Sequence, residues 1–177
     1  LRRLDDRRLV VIRHDEPRGV AGARNVGIGA ARGEWIAFLD DDDVLGPDNF
    51  RTQLARAASD RVVLLYSSRV EVDEALSPQH LTSARDPEGL ARRMLIGNVV
   101  GPPSGVLVRA AALDRVGGFD ERFSALADWD LWIRVTTVGP AAISPEPLLA
   151  YRRHPGSMTV AHADQVPVVG EHGVQRG

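Results

Sequence analysis

The sequence predicts an α/β protein built on a mainly parallel sheet with helices on its faces. Three observations carry this. Short apolar runs at residues 9–12, 35–39, 62–67, 106–108 and 148–152 have the length of buried strands. Segments with helical character alternate with them, joined by short loops. One run, Trp35 to Leu39, stops at four consecutive carboxylates, Asp40 to Asp43. In open α/β sheets ligands gather outside the carboxyl ends of strands, and this acidic cluster belongs in that place.

Taken in order, Leu9–Ile12 reads as a strand after a charged lead-in, and His14–Gly19 as a turn with Pro17. A helix follows over Gly22–Gly33, rich in small residues, with Gly33 as its C-terminal stop. Its three interior glycines each cost roughly 1 kcal/mol against alanine, so close packing against a site wall is expected. Trp35–Leu39 is the central strand. Pro47 suits the first turn of a helix reaching about Ala58. Val62–Ser67 is another buried strand, with Val70–Val72 as an edge continuation. Leu76–Asp86 is polar and loop-like, and Pro87–Leu95 is helical. Gly101–Gly105 forms a rigid turn into strand Val106–Val108. A helix over Ala110–Val116 ends at Gly117-Gly118, and Phe119–Ser124 is a loop. Ala127–Val138 is a helix, Leu148–Arg152 the last strand, and residues 160–177 a tail expected to pack poorly or to dock on another chain.

At 177 residues the chain has the length of one domain with a real core. A net charge of −2 excludes the concentrated basic surface that a nucleic-acid partner requires. There is no cysteine, so disulfide and thiolate chemistry are excluded, and no lysine. No membrane-length apolar run is present. A cytoplasmic protein is the default expectation, with attachment to a membrane surface and homo-oligomerisation left open.

Adjacent carboxylates repel, and a bound hard cation with oxygen ligands is one remedy. Asp40 and Asp42 are two apart, so on an extended chain both face one ligand. The same run also reads as a solvated acidic turn. Asp128 and Asp130 open a helix, where they favour its dipole, and Asp128 could equally be a general base beside an acceptor hydroxyl. Trp129 and Trp132, three apart, share the core face. His154 reads either as a surface residue or as a metal ligand. Arg152-Arg153 could present planar forks to phosphate, and Arg24 is either solvated or a contact to an anionic ligand.

Several stretches together resemble the family 2 inverting glycosyltransferases of the GT-A fold. Gly19–Ile28 with Ala31–Asp43 is similar to the family's helix–strand–DxD segment. Val116–Glu121 with Ala127–Arg134 resembles its acceptor loop and base helix, and Tyr151–Ser157 its closing strand. The resemblance implies a GT-A-like domain over residues 1–159 and a nucleotide-diphosphate sugar donor bound at Asp40-Asp41-Asp42. It places Asp42 on a Mg²⁺ or Mn²⁺ ion, with Asp40 nearer the nucleotide sugar and His154 able to complete the coordination. Arg24 would face the nucleobase, and Arg152, Arg153 and His154 the phosphates. Asp128 would be the base for a hydroxyl of a glycan, lipid or small molecule. Two departures stand out. Ala127 occupies a position where the family often has Glu, and Leu1 stands roughly where the family's opening strand–helix–strand unit would already have ended, so the expectation is either a fragment or a chain without half of the donor pocket. Two rival readings are a haloacid-dehalogenase-type phosphatase, which would need a downstream lysine, and a non-catalytic interaction module of the same fold.

Overall fold

The structure, a computed structural model, describes residues 6–154; the expected tail and the Pro155–Ser157 end of the closing motif lie outside the described residues. Along the chain run α1 (Gly19–Ala30), β1 (Trp35–Ala37), β2 (Val44–Leu45), α2 (Asn49–Leu54), β3 (Leu64–Val72), β4 (Pro78–Thr82), α3 (Leu90–Met94), β5 (Leu107–Arg109), α4 (Ala110–Val116), α5 (Ala127–Thr136) and β6 (Ala141–Arg152). Six strands form one mixed sheet in the order β1-β5-β3-β6-β2, with β4 added on β3.

β3 and β6 form the parallel pair, in register from Leu64↔Ala141 to Val72↔Arg152. The other four pairings are antiparallel, so the sheet is mixed but not mainly parallel as expected: most of its neighbours run in opposite directions. The expected strands at 62–67 and 70–72 are one nine-residue strand, and its end is no edge, because β4 covers residues 69–72. β4 itself lies in the expected loop: its sequence is polar and almost fully exposed, so no apolar pattern announces it. β6 begins seven residues earlier than expected. Pro145 and Pro147 argue against a regular central strand, and the ladder does slip there, from Ser67↔Ser144 to Ser68↔Pro147.

The apolar run Leu9–Ile12 is not a strand. Val10 is 74% exposed, and no described strand pairs with this stretch. Apolarity supplies the tendency, but a strand also needs a neighbour for its N–H and C=O groups. α1 ends at Ala30, three residues before the expected stop, as Ala31 turns extended (ψ 144°). Gly33 serves the following turn instead, where a Cβ would come within 3.0 Å of the Trp35 carbonyl. Pro47 precedes α2 rather than entering it, α3 is limited to five residues after left-handed Gly89, and α5 closes two residues early. α4 has the expected bounds, capped by Gly117 at φ 87°.

The core lies between the sheet and α3, α4 and α5, with Leu64, Tyr66, Met94, Val108, Leu113, Leu131, Trp132 and Val135 essentially buried. An aromatic trio ties the strand end to α5: Phe38 meets the Phe119 ring edge-on at 5.3 Å, and both lie 6.3–6.4 Å from Trp132. The Trp132 indole donates to the Gly101 carbonyl at 3.0 Å, and that of half-buried Trp129 to the Met94 carbonyl at 2.6 Å. Leu39, expected inside the strand, is 53% exposed. Urea unfolding should therefore separate two neighbours: Phe38→Ala costs about 3–5 kcal/mol, whereas Leu39→Ala stays within about 0.5 kcal/mol of the parent.

Candidate functional site

Past Phe38 the chain leaves the sheet and folds back on itself, the Asp43 N–H reaching the Asp40 carbonyl at 3.3 Å. Asp40 and Asp42 are thus members of a turn, not alternate residues of an extended strand, and they face different partners. Asp40 pairs with Arg24 of α1, and its N–H donates to the Ser104 hydroxyl at 3.0 Å. Asp41 is exposed. Asp42 Oδ2 lies 3.0 Å from His154 Nε2. Asp43, outside the expected set, is buried; its Oδ1 accepts the Arg152 backbone N–H at 2.9 Å, while its Oδ2 has no hydrogen-bond partner. Burial pushes the Asp43 carboxyl above its ordinary range. The Ser104 hydroxyl and the Arg152 N–H oppose that rise, and the charges of Asp42 and Asp40 add to it. The turn at Pro102–Gly105 braces the whole cluster, the Gly105 N–H donating to the Phe38 carbonyl at 3.0 Å.

Arg24 lies 5.4 Å from the centroid of the Phe119 ring. Its neighbour Asn25 clamps the loop after α4: Oδ1 accepts the Phe119 N–H at 2.8 Å, and Nδ2 donates to the Phe119 carbonyl and to Glu121. The close packing expected of the helix glycines holds at Gly22, where a Cβ would stand 3.2 Å from Glu121. Around Gly27 and Gly29 there is open space.

Asp128 sits in the first turn of α5, entered through Leu126 in the left-handed region at φ 62°. Its Oδ2 accepts a hydrogen bond from Asn98 Nδ2 at 3.0 Å. Burial raises the Asp128 carboxyl above its usual range. The N–H groups of Trp129 and Asp128, the charge of Arg24 and the Asn98 amide hold that rise back. Arg24 therefore pairs with Asp40 and acts electrostatically on Asp128. Asp130 serves its own helix, in an ion pair with Arg134 at 2.6 Å.

The Arg152 and Arg153 guanidinium groups point elsewhere: Arg153 pairs with Glu71 at 3.1 Å, and Arg152 reaches the Glu74 carbonyl. From this stretch the Arg152 backbone N–H and the His154 ring meet the acidic turn. No group of three or more His, Asp or Glu side chains able to hold a metal is assembled among the described residues. Of the expected metal set, Asp42 and His154 are brought together, while Asp40 is taken up by Arg24. Sequence reasoning missed Asp43, Ser104 and Asn98. The rigid Pro-Pro-Ser-Gly turn was a signal for Ser104; a lone Asn after Gly97 gave none.

The raised Asp128 carboxyl makes a stability prediction. The folded chain binds this proton more tightly than the unfolded chain, so stability falls as pH rises from the ordinary carboxylate value through the raised one. Asp128→Asn, which keeps an acceptor for Asn98, should be at least as stable as the parent at pH 7. Its relative advantage should shrink as pH is lowered towards 4, as read by urea unfolding across that range.

The profile described as "Glycosyl transferase family 2" matches residues 1–117, and that described as "Glycosyltransferase like family 2" matches residues 89–167. Among curated relatives, the Escherichia coli UDP-Glc:alpha-D-GlcNAc-diphosphoundecaprenol beta-1,3-glucosyltransferase WfaP is 26% identical over 163 residues, covering 90% of this chain and 61% of the relative. The Mycobacterium tuberculosis pre-mycofactocin glycosyltransferase is 29% identical over 144 residues, covering 78% and 30%. The Rhizobium meliloti succinoglycan biosynthesis protein ExoO is 54% identical over 54 residues, covering 30% and 16%. The chain thus spans less than two thirds of the length of these relatives. The fold is similar to that of S. aureus TarS residues 1–349, solved in complex with UDP-GlcNAc: TM-score 0.61, 16% identity, covering 78% of this chain and 40% of that one. The profile match over residues 1–117, well over half of the chain, makes it a member of glycosyl transferase family 2.

Proposed function

We propose that this chain forms the catalytic core of an inverting transferase that moves a sugar from a nucleotide-diphosphate donor to an acceptor hydroxyl. The observation that carries the reading is Arg24. One guanidinium pairs with the acidic turn and acts on Asp128, so the donor-side and acceptor-side acids belong to one constellation. In the reaction, the acceptor oxygen attacks the anomeric carbon from the face opposite the leaving group. The carbon–oxygen bond to the diphosphate breaks, its electron pair leaving on the nucleoside diphosphate. Asp128 takes the acceptor's proton, a transfer that its raised proton affinity favours. Arg24, beside the leaving diphosphate, lends positive charge as negative charge develops.

A divalent ion fits the turn in one arrangement. Asp42 and His154 converge to 3.0 Å, and Mg²⁺ sites commonly use one or two protein ligands, with substrate phosphate and water filling the rest. When bound, Mg²⁺ or Mn²⁺ would supply Lewis-acid stabilisation of the departing diphosphate. Asp42 and His154 would hold it; Asp40 would keep Arg24 in place and Asp41 would face solvent. UDP is the nucleotide suggested by the E. coli relative and by the TarS complex, and a lipid-diphosphate-linked glycan is the acceptor class suggested by that relative.

Calorimetry with UDP and Mn²⁺, together with UDP release from UDP-glucose, tests the reading. Asp128→Asn should bind UDP like the parent and lose roughly 10²–10⁴-fold in turnover. Asp42→Asn and His154→Ala should each weaken Mn²⁺-dependent UDP binding by about tenfold or more. Undiminished turnover in Asp128→Asn would sink the assignment of the base.

A further inference from the structure

We propose that Asn98 is a positioning residue for Asp128: fixed to Gly101 by both ends of its amide, it holds Asp128 Oδ2 and leaves the other carboxylate oxygen for the acceptor hydroxyl. The inference rests on the base reading above and extends it to a residue outside the acidic turn and α5.

The amide is fully engaged. Asn98 Oδ1 accepts the Gly101 N–H at 3.0 Å, and Nδ2 donates to the Gly101 carbonyl at 3.2 Å and to Asp128 Oδ2 at 3.0 Å. These partners also fix which way round the amide sits. Flipped, it would set its oxygen against a carboxylate and its NH₂ against an N–H donor, losing bonds at both ends. Gly101 is immobilised in turn. Its carbonyl accepts the Trp132 indole N–H at 3.0 Å, its φ is 99°, and the Arg69 guanidinium fills the space where a Cβ would stand.

Trp132 lies four residues after Asp128 on α5, so the two share a helix face. The Asn98–Gly101 segment thus grips α5 at two points one turn apart. Capping its own turn would require only the Gly101 N–H bond; the donor to Asp128 is additional. Among the described residues no other side chain hydrogen-bonds Asp128. The charged and polar groups facing its carboxyl are Arg24 from α1, the Asn98 amide, and the N–H groups of Asp128 and Trp129.

Asn98→Asp separates the two roles. It keeps the oxygen that accepts the Gly101 N–H, so the turn retains that bond, but it loses the longer Nδ2 bond to the Gly101 carbonyl and replaces the donor to Asp128 with a like charge. Asn98→Ala removes both. The Asp128 carboxyl is followed by ¹³C NMR across pH, its signal assigned by loss in Asp128→Asn, alongside UDP affinity and the pH profile of UDP release from UDP-glucose. Expected is an Asp128 midpoint raised by about one pH unit or more in Asn98→Asp, and raised less in Asn98→Ala. Turnover should fall roughly tenfold to hundredfold, the acid limb of the profile should follow the midpoint, and UDP affinity should stay within about twofold of the parent's. A midpoint unchanged in folded Asn98→Asp overturns the proposal, as does a moved midpoint with parent-like turnover. Failure of the base assignment shows separately, as full turnover in Asp128→Asn.

Discussion

Four adjacent carboxylates cannot share one small volume unless each is given its own counterpart, and the architecture around Asp40–Asp43 meets that constraint. Asp40 takes the Arg24 guanidinium from α1, Asp42 the His154 ring beyond β6, and Asp43 the Arg152 backbone N–H; Asp41 is left to water. The turn thereby pins together the helix before β1 and the last strand of the sheet, with Ser104 bracing it from the loop before β5. Fixed donors and cations of this kind keep their value in a shielded site, where mobile solvent would otherwise have to reorganise.

The first turn of α5 solves a different problem. Asp128 is half-buried at the head of α5, on the same face of the helix as the buried Leu131, Trp132 and Val135. The same packing that anchors α5 in the core therefore raises the proton affinity of its first-turn carboxyl. A group held at this cost works against stability, which is the usual trade at sites built for chemistry. The aromatic trio of Phe38, Phe119 and Trp132 joins this helix to the acidic turn, so movement of one is resisted by the other.

How much of this was legible beforehand varied with the kind of signal. The α/β character, α4 with its Gly117 cap, and the families of residues around Asp40 and Asp128 follow from patterns contained within a few residues. The predominance of antiparallel pairings did not, because pairing direction is decided between segments far apart. Leu9–Ile12 misled because an apolar run says nothing of whether a partner strand exists. β4 was invisible because a polar strand on the sheet's margin has no alternation to show, and the start of β6 was hidden by two prolines that the ladder accommodates with a slip. The arginines at 152 and 153 looked suited to phosphate, yet their heads follow the β3–β4 hairpin, a direction set by Glu71 and Glu74. Asn98 left no pattern to read because its partners are Gly101 and, thirty residues on, Asp128.

The meeting of His154 with Asp42 closes a separation of 112 residues, and β6 finds its parallel partner β3 more than seventy positions back. Contacts of that span are slow to form, since a long loop must close before they are rewarded. During synthesis, then, the acidic turn emerges from the ribosome well before the imidazole and the backbone amide that balance it. The nascent chain must hold that unbalanced charge in water until its closing strand arrives, and this part of the site comes into being last.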